Sequence, residues 1–98
     1  MNIEFKEKDR NKILASIQDA MGGRKLAEMV AFNLKTGALE VVISKLGTST
    51  LTFSESPAAN GISYKLTNEK IAFTHKAFKD EVTKKIMSVI EQAGGKIS

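Results

Sequence analysis

The 98-residue chain has no cysteine and no tryptophan, one histidine, one proline and two arginines. Each scarcity excludes something. Without cysteine there is no disulfide framework, no thiolate metal site and no cysteine nucleophile. A single His75 cannot supply a multi-histidine metal cluster. No run reaches the roughly 18 apolar residues of a membrane helix, so no membrane span is expected. Met1 to Asp9 is charged and alternating and has no apolar segment of the secretory type, which makes the cytoplasm the expected location. Arginine is the preferred side chain for bidentate phosphate and base contacts, so having only Arg10 and Arg24 weighs against nucleic acid. No P-loop, dinucleotide fingerprint, nucleophile elbow or zinc helix occurs. The expectation is therefore no catalytic residue, no metal and no cofactor.

What is present describes one α+β domain over residues 1–98. Hydrophobic residues make up 42% and charged residues 27%, the usual balance for a globular chain. The net charge of +4 is spread evenly: residues 1–49 carry eight basic and six acidic side chains, residues 50–98 seven and five. Ile3 and Phe5 alternate with polar residues as in a short strand. Asp9 reads as an N-cap to a helix carrying Ile13, Leu14, Ile17, Ala20 and Met21 on one side. Gly22-Gly23 stops it. Residues 24–29 fit either a helical turn or the approach to a strand.

From Val30 the period becomes two: Val30, Phe32 and Leu34, then a turn at Lys35-Thr36-Gly37, then Leu39, Val41 and Ile43, a reversal at Leu46-Gly47, then Leu51 and Phe53. Residues 55–61 read as the longest loop, with Pro57 and Asn60-Gly61. Ile62, Tyr64 and Leu66 alternate next, 67–69 reads as a turn, and Ile71 and Phe73 complete a last strand. Phe78, Val82, Ile86, Val89, Ile90 and Ala93 then lie within about 80 degrees on a closing helix, which Gly94-Gly95 caps. The expected order is β-α-β-β-β-β-α, an antiparallel sheet of four to six strands with two helices on one face.

Candidate functional residues are few. Gly22-Gly23-Arg24-Lys25 offers flexible backbone and two cations for an anion, although it follows a helix C-terminus, where the dipole is negative; a glycine cap with solvated cations is the simpler reading. Lys76 and Lys79, with Arg24 and Lys25, are the candidate anion or nucleic-acid contacts. Lys84 and Lys85 have acidic partners one turn away. The ring-bearing strand residues Phe32, Phe53, Tyr64 and Phe73 share parity with aliphatic neighbours and read as core. His75 falls where the last strand hands over to the last helix and reads as a capping or surface residue. A catalytic role for it requires a carboxylate within reach in a cleft. Met87, opposite Phe78 on its helix, is a candidate contact for a protein partner or a homodimer.

The stretch Gly-Thr-Ser-Thr-Leu-Thr-Phe-Ser from Gly47, then Gly61-Ile-Ser-Tyr-Lys-Leu-Thr, Lys70-Ile-Ala-Phe-Thr, and Phe78-Lys79 opening a helix with Ile86 and Ile90, resembles the small polyhydroxyalkanoate granule-associated proteins. The likeness covers about residues 47–92, and segment 24–46 departs from it. It implies a non-catalytic role at a granule surface or with an apolar ligand, and carries over no functional residue. The leading expectation is a non-enzymatic interaction module for a protein partner, apolar ligand or granule surface. The alternatives are weakly specific nucleic-acid binding through a lysine-bearing face, and a small enzyme centred on His75.

Overall fold

The computed structural model describes residues 1–23 and 25–98. Six strands form one antiparallel sheet: β1 (Asn2–Phe5), β2 (Val30–Lys35), β3 (Ala38–Ser44), β4 (Thr48–Ala58), β5 (Gly61–Lys70) and β6 (Gly95–Ile97), in the spatial order β2-β3-β4-β5-β1-β6. Helix α1 (Arg10–Met21) follows β1, and helix α2 (Lys79–Gln92) lies between β5 and β6. Short 3-10 turns at Lys25–Glu28 and Phe73–Phe78 lead into β2 and α2. The class is α+β, as the residue periods indicate.

Local chemistry explains the helices. The Asp9 carboxylate accepts from the Asn11 N–H at 2.9 Å, satisfying a donor that the first turn of α1 leaves unpaired. Gly22 closes α1, its N–H donating to Gln18 and Asp19 carbonyls. Helix α2 has no side-chain cap, but Asp80 and Glu81 place negative charge in its first turn. Ile13, Ile17 and Met21 of α1 and Val82, Ile86, Val89 and Ile90 of α2 are buried with Ile3, Phe5, Leu39, Val41, Leu51, Phe53 and Tyr64 of the sheet. The Phe5 and Tyr64 rings meet edge to face, centroids 6.1 Å apart.

Three details here differ from the periodicity, and one open alternative resolves to a helical turn. Residues 24–29, ambiguous in sequence, hold a 3-10 turn at Lys25–Glu28. Strands β4 and β5 run through most of the expected 55–61 loop and are joined by a two-residue turn at 59–60. Pro57 is tolerated because it sits in a non-hydrogen-bonded pair with Ile62 and lies beyond the end of β3, so its missing N–H breaks no ladder bond. The expected 67–69 turn is also strand: Thr52 pairs with Asn68 but Phe53 with Leu66, which leaves Thr67 as the extra residue of a β-bulge. Finally, Gly95 begins β6 rather than merely capping α2. It pairs with Phe5, where a Cβ would meet Ile90 Cγ2 at 2.6 Å.

Candidate interaction surface

The 45–47 loop between β3 and β4 meets the 73–78 turn at one end of the sheet, opposite the 36–37 and 59–60 turns. Here the described residues show their two most exposed large apolar side chains, Leu46 (83% exposed) and Phe73 (87%). Phe73 was expected to be a buried strand residue. It is not, because β5 stops at Lys70 and the chain turns helical at Phe73, which takes the ring off the sheet. Leu46 sits in the left-handed region at φ 54°, a conformation that a bulky L-residue adopts at a cost of roughly 1–2 kcal/mol.

A buried network holds this corner. The Ala72 N–H donates to Ser49 Oγ at 2.8 Å, and Ser49 Oγ lies 2.5 Å from His75 Nδ1. His75 Nε2 is 2.6 Å from the Lys45 carbonyl. A carbonyl can only accept, so Nε2 carries a proton, and in the neutral ring the serine hydroxyl then donates to Nδ1. The Thr74 hydroxyl donates to the Leu46 carbonyl at 2.6 Å, and the Lys45 N–H donates to the Gly47 carbonyl at 3.0 Å. Gly47, at φ 134°, packs so closely that a Cβ would meet Thr74 Oγ1 at 2.8 Å. The network thus satisfies the Lys45, Leu46 and Gly47 carbonyls and the Ala72 N–H.

His75 is thus neither a surface residue nor a cleft residue. It is 2% exposed, bonded at both ring nitrogens, and stacked at a tilt 5.3 Å from the Phe78 ring. Its partners are a hydroxyl and a carbonyl rather than the carboxylate a catalytic role required. Ser49, far from it in sequence, is fully buried. No sequence motif links the two; only the pairing of β4 with β5 and the turn at 73 bring them together.

The lysines divide. Lys79 lies 3.5 Å from Glu69 and Lys85 3.5 Å from Glu81. Lys76 sits over the Phe73 ring, 5.7 Å from its centroid. Lys45 and Lys76 form no ion pair among the described residues. Lys25 and Lys45 line a shallow hollow of about 270 Å³ with Glu28, Met29 and Ser44. A second hollow of about 250 Å³, lined by Met29, Lys45, Phe78 and Val82 with Glu81 and Lys85, adjoins it. Of the anticipated anion contacts, Lys25 and Lys76 therefore lie on the two elements that flank Lys45, Lys79 is neutralised, and Arg24 lies outside the described residues. Met87 is not on an open polar face: it is half-buried and packed against the core, because α2 is contacted by both α1 and β6.

At the far end, a second polar cluster forms by tertiary convergence. Arg10 Nε and Nη2 each donate to Glu55 at 2.6 Å, and the buried Tyr64 hydroxyl donates to the same carboxylate at 3.0 Å. The hydrogen bonds from Arg10 hold the Glu55 carboxyl below its ordinary range. Burial, and then the Glu55 carboxylate, push the Tyr64 phenol well up. An arginine that neutralises the acid and a tyrosine that donates to it make a tether between α1 and the sheet. Two open clefts flank it, of about 670 and 440 Å³, both lined by Lys8 and Arg10. Among the described residues, no group of three or more acidic or histidine side chains is placed to hold a metal, and no helix is long and apolar enough to cross a membrane. The chain matches no family model, no curated protein and no solved structure.

Proposed function

We propose that this chain is a non-enzymatic interaction module that docks onto an anionic lipid interface through the Leu46–Phe73 corner. The observation that carries the reading is the cost of exposing Leu46. A bulky residue is kept at positive φ, in water, on a loop fixed by three hydrogen bonds. Backbone strain at an exposed apolar residue is a sign of use. Two apolar tips stand out at this corner, with Lys45 and Lys76, neither of them in an ion pair among the described residues, beside them. Tips of this kind enter the acyl boundary while cations stay at the headgroups.

Burying Leu46 and Phe73 contributes roughly 1.5–3 kcal/mol each, and each lysine adds about 1 kcal/mol. The sum, on the order of 6 kcal/mol, gives weak and reversible attachment with a dissociation constant on the order of tens of micromolar. A granule surface, which the resemblance of residues 47–92 implies, is an interface of the same physical class.

Nucleic acid is the less supported partner. Leu46 offers no stacking plane, and Phe5, Phe32, Phe53 and Tyr64 are buried, so there is no series of stacking platforms. The test is co-sedimentation with vesicles of phosphatidylglycerol and phosphatidylcholine, against phosphatidylcholine alone, beside an anisotropy titration with labelled single-stranded DNA. Binding to the anionic vesicles that Phe73→Ala abolishes is the expected result. Indifference to vesicles together with salt-sensitive DNA binding overturns the proposal in favour of nucleic acid.

A further inference from the structure

Strand β2 forms one edge of the sheet, and its ladder phase can be read from its own bonds. The Ser44 N–H donates to the Met29 carbonyl at 2.7 Å, one step beyond the Val30–Ile43 pair. In an antiparallel ladder, bonded and non-bonded pairs alternate. Ala31, Asn33 and Lys35 therefore bond inward to β3, and the N–H and C=O groups of Val30, Phe32 and Leu34 point to the open side. Among the described residues these six groups have no backbone partner.

Protected edges are short, charged, bulged or interrupted by proline. The opposite edge, β6, has three residues including Lys96. Strand β2 has none of these devices from Val30 to Leu34: VAFNL is regular, uncharged and free of proline. Beside it runs a groove of about 390 Å³ between the strand and the end of α1, lined by Met21, Ala27, Val30 and Phe32 among others.

We infer that β2 pairs antiparallel with β2 of a second copy of this chain, joining two six-stranded sheets into one of twelve. This surface is separate from the Leu46–Phe73 corner. The outward-facing residues fix the register. A two-fold axis through Phe32 sets Phe32 against its own copy and Val30 against Leu34 of the copy, so all six open groups bond. The same register sets Ala31 opposite Asn33 of the copy, two uncharged exposed residues. Lys35, at the end of each strand, is already paired with Glu40 of its own chain at 3.2 Å, so the strand brings no uncompensated charge to the contact in a chain of net +4. Both helix layers then lie on the same side, and the two apolar grooves meet across the axis. The contact is isologous and closes at two copies.

The test is sedimentation velocity of the full chain over a concentration series, with amide exchange. A concentration-dependent rise from 10.7 kDa to twice that mass, with protection growing at Val30, Phe32 and Leu34, is the expected result. Ala31→Lys/Asn33→Lys places lysines opposite each other twice and weakens association about tenfold or more. Ala31→Glu/Asn33→Lys places opposite charges there and restores it. Both variants change only exposed side chains, so the rescue separates pairing from misfolding. A monomer at every concentration, or a dimer indifferent to the double-lysine variant, overturns the inference.

Discussion

At the scale of single residues, four side chains do different work. Leu46 is held at positive φ with no packing in return, so Leu46→Gly relieves strain of about 1 kcal/mol and raises the melting temperature by roughly 4–8 °C, which a thermal melt reads directly. His75 is the converse. His75→Ala strands the Ser49 hydroxyl and the Lys45 carbonyl and leaves a void beside Phe78, so it lowers stability by roughly 2–4 kcal/mol in urea unfolding. Glu55 and Tyr64 set opposite pH limits. The Glu55 carboxyl is lowered in the folded state, above all by the Arg10 hydrogen bonds. Its contribution is complete above the unfolded value of about 4.3 and is lost as pH falls through the folded value. The Tyr64 phenol is raised, first by burial. Its contribution is complete below the unfolded value of about 10 and is lost as pH rises above it. Urea midpoints against pH therefore fall less steeply in acid for Glu55→Gln than for the parent, and less steeply in alkali for Tyr64→Phe.

At the scale of elements, the sequence was most legible where one periodicity ran unbroken. Asp9 and the Ile13, Ile17, Met21 stripe define α1, the Val82, Ile86, Val89, Ile90 stripe defines α2, and Leu39, Val41 and Ile43 define the inward face of β3. It failed where one residue changes the count. Thr67 occupies a bulge, bonded through its hydroxyl to the Thr52 carbonyl and near Ser54, and period-two reading past it assigns the wrong faces. Phe73 was misplaced because 71–73 was read as a further strand, whereas β5 ends at Lys70 and the chain turns helical there, and the corner was misplaced with it. The Ser49–His75 contact spans 26 residues and leaves no local trace. Strand β6 was hidden because Gly94-Gly95 looks like any helix stop, although only a residue without Cβ fits at 95. Gly95→Ala meets Ile90 and Phe5, costs roughly 1–3 kcal/mol, and speeds amide exchange at Ser98, whose N–H donates to the Asn2 carbonyl at 2.9 Å.

At the scale of the molecule, the two helices cover one face of a six-stranded sheet and leave three distinct regions at its margins. One end carries the Arg10–Glu55–Tyr64 tether, one edge carries the open β2 ladder, and the other end carries Leu46 and Phe73 held out by a buried hydrogen-bond network. Arg10 at the tether and Lys79 and Lys85 on α2 are in ion pairs, while Lys45 and Lys76 at the corner, like Lys8 and several lysines elsewhere, are in none among the described residues. Attachment to an anionic interface through so few unpaired cations weakens with salt but does not vanish, since the apolar tips supply the larger share.

The most direct measurement of that account pairs stability with binding in one variant, Leu46→Gly. The thermal melt and the partition onto phosphatidylglycerol-containing vesicles are recorded on the same preparation. The account predicts a protein that melts higher and binds at least about tenfold more weakly, the loss expected for one buried Leu side chain. A variant that melts higher and binds vesicles as well as the parent would contradict it, since Leu46 would then carry strain for no contact at that interface.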